Sequence, residues 1–552
     1  MKKLAAFFAF MMFFALGLQI VQKNTSFESQ LASESPFQLN IPKNLLQGSK
    51  DFLSFVQNPQ GLTAKNCAPT LGSIYNEISQ IEPTYFDTQD VSKNYKEIIR
   101  NLFLARNELR LRLKGFVNSR EVLPSLPEST CITALRNVTR AARFIEDYLG
   151  ENYLQAKTFD EKTDPKFIGT FTGEEPWLEQ VVANDKVGLR SGDVIASRGN
   201  AATSAAIAKI GVVDSQFSHA AFVYIKDDAS GKIYPLEEAI NNPNVLILEA
   251  HIELGSTIRP LKQYLEDGNA RNVLFRFHDA KTAHLAAKAS HDFMTAHNKL
   301  AFEKFKKDPL SKLNPAHWGM TSNHPDFNVP YDFKMDLSKD DEVFCSEIVS
   351  LGFSRVGVAV PQFLTEITPG KDNDLVRTME ITATQVFAPG DLEFDTRFEM
   401  LAEWRDFRKV KNLRHKDAIL VSMYDWMKKY RYKYFPTELV KIGAKGYWLA
   451  RWFDFPTIKI GGKEIFNVTA TLPKNMSPRV AAMVTTLNRT ADILDARLVQ
   501  TEEQYRQNHN GLLLPYKDML KALDAYRSED LSKYRAKKSS DFHSLFRGDG
   551  KK

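Results

Sequence analysis

Phe344-Cys345-Ser346-Glu347-Ile348-Val349 places a thiol at the mouth of an apolar run, where the pattern reads as a helix N-terminus. Far upstream, Phe217-Ser218-His219-Ala220-Ala221-Phe222-Val223-Tyr224 reads as a buried strand with an imidazole at its start. A thiol and an imidazole brought together make a thiolate nucleophile with its own base. The partial positive charge of a helix N-terminus lowers the thiol pKa further. The pair points to covalent acyl chemistry. A third segment, Val245-Leu246-Ile247-Leu248-Glu249-Ala250, ends an apolar strand in a carboxylate. That group costs free energy unless it is paired or hydrogen-bonded. A neighbouring imidazole satisfies it, and the carboxylate in return fixes the ring's tautomer. Cys345 is the candidate nucleophile, His219 its base and Glu249 the residue that orients the base. His251 and Glu253, on the same segment, are rivals for the third role.

The cysteine count supports this assignment. The N-terminus carries Lys2 and Lys3, an apolar stretch over residues 4–18, and small residues at Ala15 and Gly17. This is the pattern of a secretory signal peptide (residues 1–18) cleaved near Gly17. An uncleaved membrane anchor is the other reading of the same stretch. No cysteine follows it, which excludes a bacterial lipoprotein anchor, and no later segment is apolar enough to cross a bilayer. An exported chain with three cysteines has one unpaired. Cys67 and Cys131 share one helical region and are the expected disulfide, leaving Cys345 as a free thiol. The expected location is the periplasm or the exterior.

The 552 residues are 43% hydrophobic and 25% charged, enough for two to four folded domains. A net charge of +6 on so long a chain, with no nucleic-acid motif, gives no reason to expect a nucleic-acid partner. Residues 19–60 read as a polar arm within an N-terminal region, 19–160. Ile98, Ile99, Leu102, Ala105, Leu109 and Leu113 mark a long amphipathic helix ended near Gly115. Leu135, Val138, Ala142, Ile145 and Leu149 mark a second, capped by Ser129 and stopped by Gly150. Residues 151–185 read as a linker. Residues 186–395 mix short apolar strands, a small-residue helix and a long helix over 281–307, an α+β domain. Residues 396–532 read as helical throughout, including a helix over 398–429, and residues 533–552 as a disordered basic tail.

Six short motifs run in order through the α+β region: Gly192-Asp193-Val194-Ile195, Ser218-His219, Leu248-Glu249-Ala250, Tyr331-Asp332-Phe333, Phe344-Cys345-Ser346-Glu347-Ile348-Val349 and Pro389-Gly390-Asp391-Leu392. Together they resemble the YiiX-like permuted papain-fold hydrolases. These are a circularly permuted branch of the NlpC-type cell-wall peptidase superfamily, related to the lecithin–retinol acyltransferase group. The resemblance covers about residues 186–400 and neither helical flank. It implies a permuted papain-like fold in which the histidine precedes the cysteine, and a cysteine amidase or peptidase whose triad a polar residue completes. The separation of His219 from Glu249 is long for that family, because residues 227–243 form an enlarged loop.

Each candidate has a plainer reading. Cys345 alone fits an inert buried thiol, and His219 alone a core histidine. Glu347 fits a first-turn carboxylate that stabilises its helix. Asp340, Asp341 and Glu342 oppose thiolate formation unless they face solvent. His278, His284, His291 and His297 suggest zinc, but their spacing and the lack of a completing cysteine or carboxylate pattern argue against a tetrahedral site. No metal or cofactor is expected. The aromatic and cationic stretch over 424–452 fits a packed helix face with snorkelling cations better than a membrane or glycan surface. The expectation is an exported cysteine hydrolase acting on an amide, with peptidoglycan peptide stems the expected substrate. A lipid acyl hydrolase or acyltransferase of the same chemistry and a non-catalytic envelope-binding protein are the alternatives.

Overall fold

The computed structural model describes residues 45–79, 88–118, 128–155, 188–226, 228–267, 269–308, 319–337, 341–405, 407–452, 458–460, 463–466 and 475–548. The signal segment and most of the polar arm and of the linker lie outside the described residues. Among those described, no helix is long and apolar enough to cross a membrane. The chain divides into two compact units, Met1–Asp90 with Asn101–Arg143, and Val91–Arg100 with Phe144–Lys552.

The first unit holds helices α1 (Leu45–Gln57) and α2 (Cys67–Ser79) with parts of α3 (Thr88–Asn118) and α4 (Glu128–Gln155). The end of the stretch read as an arm is thus helix α1, because Leu45, Phe52 and Val56 make one buried stripe. Arg112 donates to the Val56 carbonyl at 2.9 Å and ties α3 to the end of α1. The disulfide joins Cys67 to Cys131, with Cα atoms 5.5 Å apart. Helix α3 continues past Gly115 to Asn118, and α4 past Gly150 to Gln155. A helical glycine costs only about 1 kcal/mol, which the packing outweighs.

The second unit is α+β. Its main sheet has six strands: β1 (Val194–Arg198), β2 (His219–Ile225), β3 (Val245–His251), β4 (Gly255–Pro260), β5 (Arg271–Phe277) and β6 (Phe398–Arg405). Their order is β6-β5-β1-β2-β3-β4 and every pairing is antiparallel. Residues 398–405, read as the start of a helix, are the edge strand β6. Phe398 and Met400 are buried and Glu399 between them is exposed, the period of a strand; after a bulge between Met400 and Ala402, Ala402 to Arg405 are all buried. The α+β region therefore extends to Arg405, beyond 395.

Both faces of the sheet are covered. On one, Ile195, Ala221, Val223, Val245, Ile247 and Leu274 pack with Leu261 and Tyr264 of a short helix, Leu261–Glu266. On the other lie long helix α6 (Ala280–Lys307) and helix α7 (Cys345–Arg355), with Phe353 of α7 stacked on Phe222 and tilted against Phe277; helix α5 (Ala202–Ala208) follows β1, and its Ala206 carbonyl accepts from Tyr424. Helices α6 and α7 meet at Gly352, where a Cβ would lie 2.3 Å from Ser290 Oγ and 2.4 Å from the Ala286 carbonyl. Ser290 Oγ donates to the Ile348 carbonyl at 2.7 Å across the same contact.

The C-terminal helices α8 (Phe407–Tyr430), α9 (Glu438–Trp452), α10 (Pro478–Asn508) and α11 (Tyr516–Arg535) belong to this unit, as does the end of α4. Buried ion pairs connect them. Arg405 meets Glu146 and Glu403, Arg271 meets Asp147, and Arg414 meets Glu151 and, at 2.9 Å, Glu502. The tail is folded rather than disordered as far as Gly548. Asp530 accepts from the backbone N–H of Phe542 and His543 and from His543 Nδ1, and residues Phe546–Gly548 pair with Tyr432–Tyr434. The aromatic stretch over 424–452 is partly a packed face, with Trp426, Tyr432 and Tyr434 buried, but Leu439 and Ile442 of α9 are exposed.

Two outcomes test this architecture. Replacing Cys67 and Cys131 by serine is expected to lower unfolding stability by about 4 kcal/mol, from the loop closed by the bridge. Denaturant titration of both proteins checks it, and an unchanged midpoint contradicts it. Arg405→Ala removes the cation that Glu146, Asp147 and Glu403 share in the interior and is expected to cost about 3–5 kcal/mol, read the same way.

Candidate functional site

Three elements converge on the thiol. Helix α7 begins at Cys345 because the preceding chain is fixed in extended form: Val343 bridges to Tyr331, and its N–H donates to the Pro330 carbonyl at 2.9 Å. Glu347 Oε2 accepts from the Phe344 N–H at 3.2 Å and so caps the helix, the structural role expected of it. Ser346 Oγ donates to the Phe387 carbonyl and locks the first turn. Cys345 is buried, and its Sγ lies 3.9 Å from the Ser218 carbonyl, at the entry to β2.

His219 opens β2 and faces this thiol. Its Nε2 lies 2.6 Å from Glu249 Oε2. A carboxylate only accepts, so Nε2 carries the proton and Nδ1 is left for the thiol. Burial pushes the imidazole pKa down, but hydrogen bonds to Cys345 and Glu249 and the charges of both outweigh it and raise the value to about 10. Burial pushes the Cys345 thiol up; the His219 hydrogen bond and charge, with the Ala220 and Ser346 backbone groups, bring it below its ordinary value. The two shifts have one cause. Each group stabilises the charged form of the other, as a thiolate–imidazolium pair requires.

Glu249 is wholly inaccessible, yet its pKa is lowered. Burial opposes ionisation, and the hydrogen bonds and charges of His219 and His251 overcome it. Strand β3 puts Glu249 and His251 on one face by the two-residue period, and His251 Nε2 lies 3.1 Å from Glu249 Oε1. Arg259 Nε also donates to Oε1. Of the rivals for the orienting role, Glu253 is exposed and His251 binds Glu249 rather than replacing it. Asp341 is exposed and Glu342 receives Asn475 Nδ2 at 3.3 Å; Asp340 lies outside the described residues.

Several motif residues serve the scaffold. Asp193 is a buried partner of Arg276, with bonds of 2.9 and 2.7 Å. Gly192 turns at φ +91° against Ala283 of α6. Asp391 accepts from Thr365 Oγ1 at 2.6 Å and from the N–H groups of Thr365 and Ala388. Tyr331 sits beside the thiol, and burial, followed by the Cys345 charge, pushes its phenol well up. His284 bonds Ser191 Oγ at 2.9 Å, and His284 and His291 pack on Tyr224.

His219, Glu249 and His251 offer ligand atoms within 4.8 Å of one another and could hold a metal ion. The Arg259 guanidinium on the same carboxylate opposes a second cation there. Arg259 is not among the residues that the sequence pattern singles out. Its signal was the turn at Gly255, which folds β4 back so that Thr257 pairs with Glu249 and Arg259 lies two residues on.

Comparison with family models, with curated proteins and with solved structures finds no match to this chain.

The geometry predicts that iodoacetamide labels Cys345 in the native protein at pH 6. An ordinary thiol there is under about 1% ionised. Because the thiol's pKa is lowered, labelling should extend to acid pH and fall only as the pH drops through the depressed value. Cys345→Ala should take up no label, since the other two cysteines are bridged. Labelling that rises only near the ordinary thiol pKa contradicts the assignment.

Proposed function

We propose that the chain is an exported cysteine hydrolase that cleaves an amide bond through an acyl-enzyme. The observation that carries this reading is the Cys345–His219–Glu249 arrangement, a thiol at a helix start, an imidazole beside it and a buried carboxylate 2.6 Å from the ring. In this reading the thiolate attacks the substrate carbonyl and forms a C–S bond. The imidazolium gives its Nδ1 proton to the leaving amine as the C–N bond breaks. Neutral His219 then takes a proton from water, which attacks the thioester and releases the acid. The first N–H of an α-helix lacks an intrahelical acceptor, so the Cys345 N–H is the group that stabilises the oxyanion. Glu249 holds the proton-bearing nitrogen and the ring plane fixed and supports the imidazolium charge.

The antiparallel sheet with the cysteine helix packed on one face, and the order His, Glu, Cys in the chain, support the permuted papain-like fold. The signal-like N-terminus and that fold make peptide stems of peptidoglycan the substrate of choice. Hydrolysis of a lipid acyl chain by the same thiolate is the second reading, and the exposed Leu439 and Ile442 of α9 favour it.

Purified protein is to be incubated with muropeptides and, separately, with phospholipid vesicles. Release of new amino termini from muropeptides is expected. Cys345→Ala should reduce it at least about 10⁴-fold without changing the thermal unfolding midpoint by more than a few degrees. Fatty-acid release without amine release would favour the lipid reading. Undiminished activity in Cys345→Ala would overturn both.

A further inference from the structure

Glu249 has two oxygens and three basic neighbours. Oε2 faces His219 at 2.6 Å, whereas Oε1 receives Arg259 Nε and lies 3.1 Å from His251 Nε2. The two imidazoles are close, with ring centroids 5.1 Å apart, so both can compete for one carboxylate. The terminal torsion of a glutamate is broad and two-fold and does not by itself choose between them. Something else must fix which oxygen meets which ring.

Arg259 is built to do this. Its Nε reaches Oε1, while Nη1 donates to Asp267 Oδ1 at 3.0 Å and Nη2 to Asp267 Oδ2. The guanidinium is a rigid planar fork, and Asp267, at the end of the short helix Leu261–Glu266, holds its far edge. Its carbon lies 5.5 Å from the centroid of the Tyr264 ring. With one edge clamped, the other can hold Oε1 in only one place.

We propose that Arg259 is a positioning residue of the active site: clamped by Asp267, it pins Glu249 Oε1 so that Oε2 is reserved for His219 rather than shared with His251. The inference rests on the Cys345–His219–Glu249 reading. Arg259 touches neither the thiol nor its base; besides Glu249 and Asp267 it meets His251, whose Nε2 lies 3.4 Å from Nη2. Its guanidinium faces the buried carboxylate together with the two imidazoles. Loss of the clamp therefore lets Glu249 turn to His251, and the thiolate–imidazolium pair loses its support in those molecules.

The test is the pH profile of iodoacetamide alkylation of Cys345 in the full chain, with wild type, Arg259→Gln, Arg259→Lys, Asp267→Asn, Glu249→Gln and the double variant Glu249→Gln/Arg259→Gln. Arg259→Gln should move the inflection toward the ordinary thiol value and slow labelling at neutral pH about tenfold. Arg259→Lys, which keeps the charge but loses the fork, should lie between it and wild type. Asp267→Asn should shift the profile the same way by less. The double variant should superimpose on Glu249→Gln, because effects passing through one residue do not add. An Arg259→Gln profile identical to wild type overturns the proposal and leaves the triad standing, and so does an additive fall in the double variant. If thermal melting shows that Arg259→Gln does not fold, Asp267→Asn decides: a profile unchanged from wild type overturns the proposal. A wild-type profile of an ordinary thiol overturns the triad itself, and this inference with it.

Discussion

A carboxylate with no solvent exposure, Glu249, sits within β3, two residues before its end, and the site is arranged around the need to neutralise it. Unpaired, such a group costs several kcal/mol. His219, His251 and Arg259 all turn toward it. His219 is thereby fixed in one tautomer, with Nε2 on the carboxylate and Nδ1 presented to Cys345. The charge of Glu249 lets the imidazole stay protonated despite burial, and the imidazolium in turn lets the thiol ionise. The chain of charge compensation runs from Asp267 through Arg259, Glu249 and His219 to Cys345.

That chain holds only if Cys345 is kept in register with it. The thiol is on a helix and the imidazole on a strand, separated by more than a hundred residues. The Gly352 contact brings α7 against α6, and Phe353 anchors α7 on the sheet through Phe222 and Phe277. Asp193 and Asp391 secure the turns that enter the core strand β1 and lead toward β6. The buried ion pairs of Arg271, Arg405 and Arg414 join the sheet to the end of α4 and to the C-terminal helices. These pairs contribute little net stability against an apolar alternative, but breaking one is costly.

Much of this was legible in the sequence wherever the signal was local. The strands carrying His219 and Glu249, the helix start at Cys345, the long helix over 280–307 and the Cys67–Cys131 bridge all follow from apolar period, length and cysteine arithmetic. Strand β6 reads as a helix because Leu401, Trp404 and Val410 fit a helical spacing, while the bulge between Met400 and Ala402 breaks the strand alternation. Helix α1 was hidden in a polar stretch whose buried stripe is only a few residues. The folded tail could not be read, because what orders it is Asp530 accepting backbone N–H groups more than ten residues away and pairing with Tyr432–Tyr434. The ion pairs of Glu146, Asp147 and Glu151 span more than a hundred residues each. Arg259 needed the β3–β4 hairpin register, which a strand pattern alone does not supply.

The central claim is that Cys345 and His219 form an ion pair at neutral pH. Its most direct measurement is the ultraviolet thiolate absorbance of the native protein as a function of pH, taken as the difference from Cys345→Ser. One thiolate is expected at neutral pH, lost in a single step on acidification below the ordinary thiol pKa. A thiolate that appears only as the pH rises through the ordinary thiol range would contradict it.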